Sequence, residues 1–198
     1  MAKKEDRRIK KSKQSIKKAF INLIHEKGFG AISVHDIAER ADINRGTFYL
    51  HYKDKFDLFE KYVDELLNEL IVTIELSNQE KELISQREIK ERDYIEFFNH
   101  FQKHACFYKA MFNYKGDTYF YNRFFDVFKS HFCKEFKELK INDEQLKVDK
   151  AFLIHFMVYA HFGSINYWLE SDMTDSPETM GEQFNTLLNA LIAGMSQD

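Results

Sequence analysis

A chain of 198 residues, 44% hydrophobic and 31% charged, can hold one large domain or a small module joined to a larger one. A single proline, Pro177, and seven glycines leave helix interiors uninterrupted and favour an all-α fold. Two distant cysteines, Cys106 and Cys133, give neither a disulfide framework nor a zinc pattern, and the charged start KKEDRRIKKSK is not a secretory signal; the expected location is the cytoplasm.

The net charge of −3 hides an asymmetry. Residues 1 to 53 carry 13 Lys/Arg against 6 Asp/Glu, a net +7, while the remainder carries 16 against 26, a net −10. A basic front on an acidic body suits a phosphate-facing head, and equally a solvated basic tail. The tail lysines and arginines (Lys3, Lys4, Arg7, Arg8, Lys10 and Lys11) are expected to be disordered in solution and to add nonspecific phosphate contacts.

In chain order, Ile16, Ala19, Phe20, Leu23 and Ile24 recur at helical spacing and predict a helix over 7–27, stopped by Gly28-Phe29-Gly30. Ser33 with Asp36 has capping-box spacing and starts a short helix from Val34 to Ala41. Asp42 and Ile43 make a turn. Asn44 caps a second short helix, Arg45 to Tyr52. Asp54 caps a long fourth helix whose Phe56, Phe59, Val63, Leu66, Leu70 and Ile74 share a face. Further helices are expected near 80–92, 94–112, 118–139, 143–171 and 177–195, about nine in all. Asp175 or Ser176 caps the last, with Pro177 in its first turn.

Two short helices joined by a tight turn at Val34–Tyr52 are a helix-turn-helix arrangement, whose second helix lies in the major groove of DNA. Ala38 is the small residue at the crossing, and Ile37, Ala41, Ile43 and Phe48 wedge the pair onto a core. His35, Arg45, Thr47, Tyr49 and His51 fall on the outward positions. An ordinary helical hairpin has the same spacing.

A family resemblance favours the first reading. IAERADINRGTFYLHYKDKFDL resembles the tetracycline-repressor (TetR) family through Ile37, Ala38, Ala41, Ile43, Gly46, Thr47, Phe48, Tyr49, His51, Tyr52 and Lys55, and the likeness covers about residues 9 to 60. The turn carries Asp42 where the family pattern has glycine; aspartate tolerates left-handed backbone better than most residues. The resemblance implies an all-α fold: a three-helix DNA-binding domain at 1–55, then a helical ligand-binding and dimerisation domain at 56–198. It implies a dimeric repressor on a palindromic operator in double-stranded DNA, released by a small molecule. A related co-activator worked by a protein partner is the alternative. Arg45 and Gly46 would meet base edges; His35 would meet bases or phosphate; Thr47, Tyr49 and Lys55 would meet phosphates. His51 would touch DNA or pack on the first helix.

The body holds eleven phenylalanines and five tyrosines between residues 94 and 136. They read as a phenylalanine-rich core that can enclose a cavity for a small hydrophobic or aromatic ligand, whose contacts are unknown from sequence. His100 and His104 have metal-sharing spacing, but no carboxylate or cysteine at a telling distance completes a set, so no metal and no cofactor are expected. Residues 151 to 169 contain no Asp, Glu, Lys or Arg, yet His155, His161, Ser164 and Asn166 interrupt them, and a buried helix is expected rather than a membrane span. The small stripe Ala160, Gly163 and Ser164, with Tyr167, Trp168, Leu187, Leu188 and Leu191, is the expected homodimer face. No nucleophile elbow, phosphate loop or recognisable acid pair points to an enzyme.

Overall fold

The computed structural model describes residues 2–79, 86–113, 118–138 and 146–195. Among the described residues there are nine α-helices: α1 (Ala2–Lys27), α2 (Val34–Arg40), α3 (Arg45–Tyr49), α4 (Lys55–Gln79), α5 (Gln86–Lys103), α6 (Ala105–Asn113), α7 (Tyr119–Glu138), α8 (Lys150–Glu170) and α9 (Pro177–Met195). A short 3-10 turn, Phe29–Ala31, joins α1 to α2.

The helix ends follow local chemistry. Gly28, at φ 73°, stops α1, and its N–H donates to the Ile24 carbonyl at 2.8 Å. Ser33 and Asp36 form the expected capping box, with the Asp36 N–H donating to Ser33 Oγ and the Ser33 N–H to the Asp36 carboxylate. Asn44 caps α3 through the Gly46 N–H. Asp54 accepts from the N–H groups of Phe56 and Asp57, both at 2.8 Å. For α9 the capping hydroxyl is that of Ser176, which accepts from Thr179.

Several expected boundaries move. α1 begins at Ala2, so the basic tail continues the helix instead of being irregular. α3 closes at Tyr49, with Leu50 and His51 in the following turn. One helix, α5, runs through the break expected at residue 93 and ends at Lys103; the backbone turns at His104. α8 starts at Lys150 rather than near 143, because Asp149 accepts from the Phe152 N–H at 2.8 Å and caps it there.

The chain packs as two compact units. The first runs through Glu65 and includes Cys106–Phe120; the second holds Leu66–Ala105 and the chain from Tyr121 onward, so α4 contributes to both. In the first unit Ile16, Phe20, Leu23 and Ile24 of α1 are buried with Phe29, Ile37, Phe48, Leu58 and Phe59. Phe29 is the keystone: its ring lies 4.9 Å from Phe59 and edge-on to Phe20 at 6.0 Å. Phe107 of α6 joins them, edge-on to Tyr62 at 4.9 Å. Phe56, expected on the buried face of α4, is 54% exposed; Leu58 and Tyr62 fill the core instead. The Ile74 side chain lies outside those described.

The second unit is built on aromatic stacking. Phe124, Phe128, Phe132 and Phe136 recur every fourth residue along α7 and are all buried. Phe124 and Phe128 stack at 4.2 Å, and Phe97 of α5 lies edge-on to Phe128 at 5.9 Å. His161 of α8 sits inside this cluster, 4.6 Å from Phe184 of α9. Trp168 is fully buried and donates through Nε1 to the Asp175 carbonyl, fixing the loop between α8 and α9. α9 comes so close to α5 that a Cβ at Gly181 would lie 2.9 Å from the Ile95 backbone nitrogen. Among the described residues no helix is long and apolar enough to cross a membrane.

Candidate nucleic-acid interface

Residues 34 to 49 meet the demands of a groove-reading motif one by one. Ile37 and Ala38 are buried, and the turn is closed by the Ile43 N–H donating to the Ala38 carbonyl at 3.0 Å. Asp42 takes φ 52°, the left-handed conformation for which glycine is the usual choice. Phe48 is completely buried and Tyr52 is 5% exposed, with ring centroids 5.6 Å apart. These two anchors fix the rotation of α3, leaving Arg45, Gly46 and Tyr49 exposed and Thr47 half-buried. His35, in the first turn of α2, is exposed too.

The surrounding ion pairs hold α2 against α1. Arg40 donates to both carboxylate oxygens of Glu26, at 2.6 and 2.8 Å. Hydrogen bonding to Arg40 lowers the Glu26 pKa. Lys27 meets Asp36 at 2.9 Å, and the Ser33 hydroxyl, then Lys27, hold the Asp36 carboxyl well below the usual range. Arg40 is thereby tied to protein, whereas Arg45 is exposed at the start of α3.

Two of the candidate DNA contacts, Lys55 and His51, also bond within the protein. Lys55 Nζ donates to three backbone carbonyls, Phe29 at 3.2 Å, Gly30 at 3.1 Å and Ile32 at 2.8 Å, and lies 4.9 Å from the Phe29 ring centroid. An ammonium has three protons, and these carbonyls use all of them. In this structure Lys55 therefore clamps the turn before α2. His51 Nε2 lies 2.7 Å from Ser12 Oγ of α1. Burial, and then the nearby Lys13, lower its pKa, and the ring packs on the first helix. One exposed residue escaped sequence reasoning: Leu50 is 82% exposed at the end of α3, one helical turn beyond Gly46. An apolar residue just after a short helix gives no sequence signal that it faces solvent.

On the expected dimer face the structure divides the candidates. Tyr167 (65% exposed) and Leu187 (69%) stand in solvent, Gly163 is exposed, and Ala160, Ser164 and Leu191 are half-buried. Trp168 and Leu188 are covered within their own chain and present no surface, which corrects their expected role. Phe152, Phe156 and Tyr159, on the same stripe of α8 as Gly163, are exposed in their place.

A third cluster lies in the second unit, where α4 brings Glu69 to the two histidines at the end of α5. Glu69 Oε1 is 3.3 Å from His104 Nε2, 4.0 Å from His100 Nδ1 and 2.6 Å from Lys103 Nζ. Burial, then the neighbouring His104, lower the His100 pKa to about 3. Sequence reasoning missed Glu69 because nothing in the sequence says that α4 passes the end of α5 there.

Comparison with known proteins adds to this geometry. A family model described as "Bacterial regulatory proteins, tetR family" matches residues 16–62, and one described as "Transcriptional regulator C-terminal region" matches 91–190. The HTH-type transcriptional regulator YxbF of Bacillus subtilis (strain 168) is 24% identical over 170 residues, 85% of this chain and 42% of that protein. The chain spans less than half the length of the curated relatives it matches. Among solved structures, NalD, the secondary repressor of the MexAB-OprM multidrug efflux pump in Pseudomonas aeruginosa, superposes with a TM-score of 0.72 at 18% identity, covering 96% of this chain and 99% of that one. FadR from Bacillus subtilis, solved in complex with stearoyl-CoA, gives 0.62 at 16% identity, covering 88% and 96%. At such identities the structural matches establish the fold.

Proposed function

Because the chain belongs to the TetR family of bacterial transcriptional regulators, we propose that it is a cytoplasmic, dimeric repressor that reads a palindromic operator and is released by a small hydrophobic or aromatic ligand. The DNA-reading part is residues 1–55 and the regulatory part 56–198. The observation that carries this reading is the exposed edge of α3. Buried Phe48 and Tyr52 turn Arg45, Gly46 and Tyr49 outward together.

Arg45 is the specificity residue. A guanidinium at the entry of the recognition helix can bond a guanine O6 and N7 in a bidentate fork. Gly46 lets backbone approach the base edges, and Leu50 packs on a thymine methyl. Thr47, Tyr49 and His35 bind phosphates or sugars and fix the register. Arg7, Arg8, Lys10 and Lys11, exposed on α1, supply sequence-independent attraction.

The dimer forms through α8 and α9. Phe152, Phe156, Tyr159, Tyr167 and Leu187 expose apolar area that a monomer does not usually leave in water. Gly163, at which a Cβ would meet nothing within 4 Å, opens the stripe for close helix approach. FadR, a structural relative, was solved in complex with stearoyl-CoA; here the ligand, a small molecule with an apolar chain that suits the aromatic interior, is held among the helices of the second unit. Its binding releases DNA only by favouring a spacing of the two heads that no longer fits successive major grooves. α4, continuous from Lys55 to Gln79, is the element that conveys the shift.

Selection from random-sequence duplexes with the full chain tests the proposal. A palindrome with half-sites one or more helical turns apart is expected. Enrichment of no palindrome would move the function to a protein partner.

A further inference from the structure

We infer that Glu69, His100 and His104 form a binding site for a divalent transition metal of the zinc type, joining α4 to the end of α5. One ligand atom from each side chain can be chosen so that all lie within 4.8 Å of one another. Two ligands about 2.1 Å from a tetrahedral metal lie about 3.4 Å apart. The separations from Glu69 Oε1 to His104 Nε2, 3.3 Å, and to His100 Nδ1, 4.0 Å, need only small side-chain adjustment to meet that.

The backbone already sets the two imidazoles. The His104 N–H donates to the His100 carbonyl at 3.2 Å, which keeps the residues one turn apart although α5 has ended at Lys103. Their rings lie 4.9 Å apart, inclined at 51°. His100 is packed against Phe101 and only 4% exposed, so its ring is held before any ion arrives. His104 and Glu69 are part-exposed, giving an ion a path in.

Two imidazoles and one carboxylate choose the metal. Calcium and magnesium demand oxygen ligands throughout, whereas nitrogen-rich sets suit zinc, cobalt or nickel. Three protein ligands leave a fourth position for water or a further donor. Lys103 is the competitor. Its ammonium is 2.6 Å from the Glu69 oxygen, with a side chain 64% exposed. An exposed ion pair of this kind contributes little, so a divalent ion displaces it and the lysine swings into water. No bond to carbon or hydrogen changes; the metal exchanges bound waters for the three side chains.

The test uses the full chain without an affinity tag, stripped with a chelator and titrated at micromolar concentration with Co2+, then with Zn2+. One equivalent of Co2+ should give visible d–d absorption, and Zn2+ should displace it and raise the melting temperature by mass action. Glu69→Gln and His104→Gln, folded by circular dichroism, should each lose affinity by at least the about 10–100-fold that losing an outer-shell partner costs. Lys103→Met should bind more tightly than the unaltered chain. His100→Gln is not relied upon, because its side chain is core. Absence of stoichiometric binding by the unaltered chain would overturn the site. So would binding that survives both Glu69→Gln and His104→Gln, since the ion would then sit elsewhere.

Discussion

The outward edge of α3 and the outward stripe of α8 are built by the same rule and end with opposite chemistry. In each, a few buried aromatics set the helix's rotation: Phe48 and Tyr52 at α3, His161 and Trp168 on α8. What remains outside α3 is an arginine, a glycine and a tyrosine. The large apolar side chains left outside α8 are Phe152, Phe156, Tyr159 and Tyr167. The first surface fits a hydrated polyanion; the second fits another apolar surface. A buried anchor decides orientation and its neighbours decide the partner, so changes at anchors should act on stability and changes outside on recognition.

The largest expected effect is at an anchor of the body. Phe128 is 2% exposed, stacked on Phe124 and edge-on to Phe97. Phe128→Ala should lower unfolding free energy by about 3–5 kcal/mol in chemical denaturation. A loss comparable with that of a surface substitution would show that the aromatic cluster is loosely packed.

Next is Lys55. If it clamps the turn through three carbonyls, Lys55→Met should cost about 2 kcal/mol of stability. It should leave the salt dependence of residual DNA binding unchanged. A salt slope reduced by about one with stability intact would return Lys55 to the phosphate contacts.

A smaller effect comes from His161. Burial lowers its pKa to about 4, partly offset by the Met157 carbonyl accepting from Nδ1 at 2.7 Å, with His131 adding to the lowering. The unfolded chain's histidine titrates near about 6.5. Above that pH its contribution is fully present. As pH falls from about 6.5 toward 4, the unfolded state takes up the proton first, and stability drops by up to about 1.4 kcal/mol per pH unit. His161→Phe should flatten this slope in melting curves recorded from pH 7 to pH 5; an unchanged slope would place the acid sensitivity elsewhere.

The smallest effect on stability belongs to Leu50. At 82% exposure, Leu50→Ser should change unfolding free energy by less than about 0.5 kcal/mol. It should relax preference at a thymine of the operator. A stability loss above that would show Leu50 to be an anchor.

How much could be read in advance follows range of interaction. The head was legible because its determinants are local: Ser33 with Asp36, Asn44 with Gly46, and Gly28 after Ile24 each act within four positions. The Asp42 turn was legible for the same reason. The clamp made by Lys55 had no sequence signal because its carbonyl partners lie 23 to 26 positions away, and they appear only when the turn and α4 pack. Glu69 lies 35 positions from His104, so the cluster had no sequence signature. On α8 the apolar run was nearly continuous, so periodicity could not say which side faces inward. Trp168 was therefore assigned to the surface and Phe152, Phe156 and Tyr159 passed over.

The most direct measurement compares the unaltered chain with Arg45→Ala on the selected palindrome and on an unrelated duplex at fixed salt. Arg45 is exposed at the first position of α3, so its loss should leave the fold intact. The account predicts about 1–3 kcal/mol of lost discrimination, with binding to the unrelated duplex nearly unchanged. Equal weakening on both duplexes, or none on either, would contradict the assignment of base reading to Arg45.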